Sequence, residues 1–320
     1  MRILSSQVIE QAATPGLWTD IMELALKSSS DQDYFTPNRM HVDINDNTLL
    51  LMPSVGPDMF ATKLVSVFPD NIKKGKAAIN GTVVLNDGAT GESLALLNGA
   101  KLTAMRTAAV ACVGIRHLSD PLATTLGIIG GGAQGRHIAW LASHERDLER
   151  VYVYDRSPQT ISDFINFMAD KCPDVDVALC EDAQQVVVNS EIVATATTST
   201  EPVIPNLEDL ILGKCFVSVG SYKPEMRELP ESIFRLIDSV WIDAEHGVTE
   251  TGDLIYPLEN QLIKIDHVRH IAELIEQPNN LGFSETRLFK TVGQGIFDLF
   301  AAKLVYEKAC ENNLGVEVEV

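Results

Sequence analysis

The sequence predicts an α/β protein, a doubly wound parallel sheet joined to an α+β N-terminal domain and closed by the C-terminal helix. Three observations carry this. The stretch Thr124 to Asp155 reads as strand, glycine turn, helix and strand; short apolar runs alternate with helical patterns from there to Ala244; and the residues before it hold β-rich runs separated by turns.

Within the central stretch, the apolar run Thr125 to Ile129 meets Gly130-Gly131-Gly132-Ala133-Gln134-Gly135, and a helical pattern follows with Ile138, Leu141 and Ala142 on one face. Gly130 lets the chain turn out of the strand, Gly132 lets backbone approach a pyrophosphate, and Gly135 lets the helix pack close to the sheet. The helix N-terminus offers unpaired N–H groups and a positive dipole end to phosphates. Asp155 ends the next strand, 20 residues after Gly135. It is the natural acceptor for the adenosine ribose hydroxyls, which points to NAD(H), whereas Arg156 and Ser157 beside it keep NADP(H) open. Thr197 and Thr198, after the run Ile192 to Ala196, are further cofactor candidates.

A chain of 320 residues is long enough for two cores. The expected domains are 1–119 with 290–320, and a Rossmann nucleotide domain 120–289, parted at the break Ser119-Asp120-Pro121. A net charge of −19 argues against nucleic acid and anionic membranes, which require basic surface, and leaves a small molecule as the partner. No apolar run approaches the ~20 residues of a membrane helix. The first residues meet Gln7 and Glu10 too early for a signal peptide, so a cytoplasmic protein is expected. Cys112, Cys172, Cys180, Cys215 and Cys310 are widely spaced and suggest neither disulfides nor a zinc ribbon. His267 and His270 stand three apart in an expected helix with no third ligand nearby, so no metal is expected.

In chain order, Thr14-Pro15 starts a helix to about Lys27. Strands are expected over Arg39 to Asp43, Thr48 to Met52, Phe60 to Phe68, Gly81 to Leu85 and Ser93 to Leu97, the last two flanking the turn Asp87 to Gly91, which makes the N-terminal sheet antiparallel. An alanine-rich helix runs from Lys101 to Leu118. After Asp155 come helices over 158–171 and 182–188 and strands over 175–179, 192–196, 215–219 and 240–244, giving a sheet of six. Phe289 to Asn312 reads as one long helix ending in a short polar tail.

Arg39, Lys63 and Arg106 are the conspicuous cations of an acidic chain. Lys63 and Arg106 sit among apolar residues, where a buried charge requires an anionic partner, and a substrate carboxylate is one. Replacing either is expected to remove substrate binding and leave the fold intact.

The blocks TKLVSVFPDN (62–71), DGATGE (87–92), TAMRTAA (103–109), IIGGGAQG (128–135) and VGSYKPEMRELP (219–230) closely resemble the ornithine cyclodeaminase and mu-crystallin family. The resemblance implies a homodimer with an N-terminal substrate and dimerisation domain. It also implies that Arg39, Lys63 and Arg106 bind the substrate α-carboxylate around the reacting carbon, with Thr82 as a further cleft residue. Two departures matter. The aspartate that follows Val-Gly-Gly in cyclodeaminases is replaced by Tyr222, after Val219-Gly220-Ser221, and a cyclodeaminase glutamate is Leu50. Glu225 and Glu228 follow Pro224, where the chain is expected to leave the cleft. The departures favour reduction of a cyclic ketimine, Δ1-pyrroline-2-carboxylate or its piperideine analogue, with Lys63, Arg106 and Tyr222 at the reacting centre. The alternatives are an ornithine cyclodeaminase or alanine-type dehydrogenase, which requires a carboxylate base, and a non-catalytic small-ligand carrier.

Overall fold

The computed structural model describes residues 1–77, 79–277 and 284–319. The chain forms two compact units, Met1–Arg106 with Gln294–Val320, and Thr107–Gly293. The sequence places these boundaries at 119/120 and 289/290. The first change-over instead falls inside the helix Gly99–Leu118, which has no local break for a sequence reading to find.

The first unit is built on a seven-stranded sheet. Its centre is an antiparallel run of Met40–Ile44, Asn47–Val55, Met59–Val67, Ile79–Asp87 and Ser93–Asn98. Alternation sorts the side chains: Met52, Ala61, Val65, Val83, Leu85 and Leu97 are buried on one face. Helix Pro15–Ser28, capped by Thr14 Oγ1 accepting from Leu17 N–H, packs against helix Gly295–Glu311, which in turn lies along strands Asn47–Val55 and Met59–Val67. Close approach is enforced at Gly295, where a Cβ would stand 2.9 Å from the Pro53 carbonyl oxygen. The sheet is mixed, not purely antiparallel: Arg2–Leu4 pairs parallel to Ser93–Asn98 and antiparallel to Val316–Glu317. The expected polar tail therefore supplies a strand.

The second unit holds an eight-stranded all-parallel sheet in the order Val268–His270, Val240–Ile242, Arg287–Lys290, Cys215–Ser218, Ile192–Thr195, Thr125–Ile129, Arg150–Tyr154, Asp176–Leu179. It is the predicted doubly wound sheet with two more strands than the six expected. Arg287–Lys290 overlaps the first two residues of the predicted helix 289–312, which in fact begins at Gly295; its four residues are all buried and insert between Cys215–Ser218 and Val240–Ile242. Four residues buried on both faces, two of them cations, carry no period to separate strand from helix. The His267 and His270 segment is likewise a 3₁₀ turn followed by a strand. The His270 ring accepts from Ala272 N–H and faces the Asp243 carbonyl oxygen at 2.8 Å, capping helix Ile271–Glu276.

Candidate functional site

Lys63 points to the buried face of its strand, where a lone ammonium would be costly. Helix Gly295–Glu311 supplies the compensation: Lys63 Nζ lies 2.6 Å from Asp298 Oδ2, and Arg106 Nε, on helix Gly99–Leu118, lies 3.1 Å from Asp298 Oδ1. Lys63 is 2% exposed, Asp298 1% and Arg106 6%. Sequence reasoning missed Asp298, because it stands 192 residues from Arg106 and in an otherwise apolar helical stretch. The only signal available was a single acid among Ile296, Phe297, Leu299 and Phe300.

Two cations against one carboxylate leave a net positive charge in this buried cluster. Burial first, then the Arg106 guanidinium, lower the Lys63 pKa to about 8; Asp298 acts the other way, and Arg39 adds to the lowering. Burial alone would raise the Asp298 pKa, but Lys63 and Arg106 overcome it and hold the carboxyl below its ordinary value. Arg39 precedes strand Met40–Ile44, half-buried and near enough for its charge to be felt at Lys63. An anionic ligand is what such a cluster accepts.

Thr82 is not brought to the cluster. It pairs with Leu64, whereas Lys63 pairs with Met52 and Val83, so the register puts Thr82 on the opposite face of the sheet from Lys63. Leu50, by contrast, alternates onto the same face as Met52, so a hydrocarbon stands on the Lys63 side of the sheet.

In the second unit the glycine turn has the expected steric logic. Gly130 adopts φ 98°, and a Cβ there would stand 2.7 Å from the Ala196 carbonyl oxygen. A Cβ on Gly135 would stand 2.0 Å from the Gly130 oxygen, whereas one on Gly132 would meet nothing within 4 Å and would fill open space. Gly132 is the N-cap of helix Ala133–Glu145, and no side chain caps that end. The first-turn N–H groups therefore remain available to an anion. Ala133 is exposed, and Gln134 Oε1 is buried without a hydrogen-bond partner. Asp155 ties two loops together: Oδ2 accepts from Gly131 N–H at 2.9 Å and Oδ1 from Ser157 N–H at 2.8 Å. Ser157 Oγ is engaged as the N-cap of helix Pro158–Lys171, accepting from Thr160 N–H, while Arg156 is exposed. An open space at Gly132, an uncapped helix end and an acid at the end of the second strand are what a dinucleotide requires.

Thr197 is half-buried and Thr198 exposed. Tyr222 is half-buried, with Lys223 Nζ 5.8 Å from its ring centroid. Of the two acids after Pro224, Glu225 is exposed, whereas Glu228 is fully buried and folded back beneath Gly220 and Ser221, accepting from Gly220 N–H at 2.7 Å.

A family model described as the ornithine cyclodeaminase/mu-crystallin family matches residues 3–313. A Δ1-pyrroline-2-carboxylate reductase of Bacillus thuringiensis subsp. konkukian (strain 97-27) is 36% identical over 304 residues, covering 92% of this chain and 93% of that protein. The structure of Thermococcus litoralis Δ1-pyrroline-2-carboxylate reductase in complex with NADH and L-proline matches with a TM-score of 0.92 at 32% identity, covering 99% of this chain and 100% of that one. The ketimine reductase mu-crystallin of Mus musculus is 28% identical over 255 residues, 79% of this chain and 77% of that protein. The blocks that carry the sequence resemblance, the doubly wound sheet and these matches together show that the chain belongs to the ornithine cyclodeaminase/mu-crystallin family.

Proposed function

We propose that the protein reduces cyclic ketimines with NADH, foremost Δ1-pyrroline-2-carboxylate to L-proline, with the piperideine analogue and NADPH as secondary reactants. The observation that carries this reading is the buried pair Lys63 and Arg106 sharing the single carboxylate of Asp298, an excess of positive charge suited to a substrate α-carboxylate. The reductases at 36% and 32% identity support it.

Lys63 and Arg106, with Arg39, hold the substrate carboxylate and so fix the plane of the conjugated imine. Orientation of this kind makes the transfer effectively intramolecular. Asp298 keeps the two buried cations paired when no substrate is present. Asp155, the Gly130–Gly135 turn and the N-terminus of helix Ala133–Glu145 hold the cofactor, and Thr197 and Thr198 serve the same end. NADH, when bound, supplies the hydride. A cyclic imine that binds already protonated is its own electrophile, so no strong general acid is required.

Ring closure of a diamino acid requires a base to deprotonate the distal amine. Leu50 and Tyr222 stand where the resemblance puts the cyclodeaminases' acids, and neither side chain is a carboxylate. The exposed apolar side chains Met40, Val42, Ile44 and Leu64, all on the sheet face opposite Lys63, suit a second copy of the chain, and we read the protein as a homodimer. Five free cysteines fit a reducing cytoplasm.

The deciding experiment is a steady-state assay of both ketimines with both reduced cofactors, paired with incubation of L-ornithine and NAD followed by ammonia and proline measurement. Ketimine reduction without ammonia release is the expected result. Stoichiometric ammonia and proline at a comparable rate would make the protein a cyclodeaminase, and binding of the cofactor without turnover of either substrate would make it a carrier.

A further inference from the structure

Glu228 is a carboxylate with no exposure to water, yet it is surrounded almost entirely by donors from two loops. Its Oε1 accepts from Thr197 N–H at 2.7 Å and Thr197 Oγ1 at 2.8 Å. Its Oε2 accepts from Thr195 Oγ1 at 2.9 Å and Gly220 N–H at 2.7 Å, with Ser218 Oγ at 3.1 Å and Ser221 N–H at 3.3 Å. The residue is itself held from behind, since Asp253 Oδ1 accepts from Glu228 N–H at 2.7 Å and Leu229 N–H at 3.0 Å. Lys290, 1% exposed, donates to Ser218 Oγ at 3.1 Å and lies 3.6 Å from Asp253 Oδ2.

The two loops gathered by Glu228 follow adjacent strands, Ile192–Thr195 and Cys215–Ser218, at their carboxyl ends. In a doubly wound sheet ligands bind outside those ends, and the strand order reverses between Thr125–Ile129 and Ile192–Thr195. Asp155 marks the adenosine half on one side of the reversal. The loops after Ile192–Thr195 and Cys215–Ser218 belong to the other half, where the nicotinamide goes. They are also nearly in collision: a Cβ on Gly220 would stand 2.1 Å from the Thr197 oxygen and 2.6 Å from Glu228 Oε1.

We infer that Glu228 is a positioning residue for hydride transfer, welding the Thr197 loop to the Gly220–Tyr222 loop so that the nicotinamide ring is received in one place. This rests on the reading of the chain as an NADH-dependent reductase. It assigns Glu228 no contact with the cofactor; its effect passes through Thr197, Gly220 and Ser221. The carboxylate is needed as an acceptor on both oxygens. In Glu228→Gln one oxygen becomes an amide nitrogen, which must face either Thr197 N–H or the Gly220 and Ser221 N–H groups, and a backbone N–H cannot turn round to accept.

The test compares the two halves of the cofactor. Wild type, Glu228→Gln and Thr197→Val, which removes one donor to Oε1 and leaves the backbone intact, are titrated with ADP by calorimetry and with NADH by nicotinamide fluorescence, and kcat is measured for ketimine reduction. The expected result for Glu228→Gln is ADP affinity within twofold of wild type, NADH affinity at least tenfold weaker, and kcat reduced on the order of 100-fold, the cost of a misplacement near 1 Å. Thr197→Val should move NADH affinity and kcat the same way by a few-fold. ADP and NADH affinities that fall together would show a structural role only and overturn the inference, as would wild-type NADH affinity and kcat in Glu228→Gln. If Glu228→Gln does not fold, Thr195→Val, which removes a donor to Oε2 at a buried residue with no cofactor role, decides by the same comparison. A wild type that binds NADH but reduces no ketimine defeats the functional reading alone, because the ADP and NADH titrations still judge Glu228.

Discussion

Lys63 Nζ and Asp298 Oδ2 stand 2.6 Å apart in the interior of the first unit, and Arg106 takes the other oxygen of the same carboxylate. The anion that the two buried cations require is therefore present before any substrate arrives. Removing it leaves two positive charges adjacent and unpaired. Asp298→Asn is expected to cost about 3–5 kcal/mol of stability, the scale for breaking a buried ion pair. Thermal and denaturant unfolding read this directly, and an unchanged Tm would show that the cluster does not depend on Asp298.

The same relationship corrects the sequence-based expectation that Lys63 and Arg106 can be removed without harm to the fold. Lys63→Ala and Arg106→Ala should each lose at least ~2 kcal/mol of transition-state stabilisation in kcat/KM. Each should also lower Tm, because Asp298 is left with one partner where it had two. NADH affinity, set by residues of the second unit, should stay near wild type. Wild-type kcat/KM in either variant would remove that residue from the site.

A lysine with its pKa lowered to about 8 carries its charge below that pH and loses it above. Substrate binding by the cluster should weaken accordingly, with log kcat/KM falling above pH about 8. Lys63→Arg keeps the charge at any accessible pH, so it should move this alkaline limb upward; a limb that stays in place belongs to the imine of the substrate. For stability the sign is the reverse. The folded state binds this proton more weakly than the unfolded chain, so Lys63 is a cost below about pH 8 that is relieved as pH rises toward its ordinary value of 10.5. Urea unfolding across that range should show wild type gaining stability relative to Lys63→Met as pH rises.

Asp155 should select NADH by accepting ribose hydroxyls and repelling a 2′-phosphate. Asp155→Ser is expected to shift preference toward NADPH. It should also lose about 1 kcal/mol of stability, because the carboxylate joins Gly131 N–H to Ser157 N–H. Kinetic comparison of the two cofactors checks the first point. If the wild type already prefers NADPH by about tenfold, roughly 1.4 kcal/mol, recognition rests on Arg156 and Ser157 instead.

Much of this protein was legible in the sequence because local rules wrote it there. The glycines between Ile129 and Ala133, the acid at 155 and the cap Thr14-Pro15 each answer a requirement of the few residues around them, and Lys63 and Arg106 betrayed themselves by apolar neighbours. Register was the first thing that local patterns did not contain. Thr82 was expected beside the cleft yet faces away from Lys63, since a strand's two faces differ by one residue and only the pairing says which is which. Buried strands were the second: Arg287–Lys290 begins and ends on a cation yet is buried throughout, so nothing alternates. The third was the pairing of charges across long separations. Asp298 compensates Lys63 and Arg106, and Glu228 gathers Thr197 and Gly220, only because the chain brings distant segments into contact where water is excluded and each buried polar atom must find its partner.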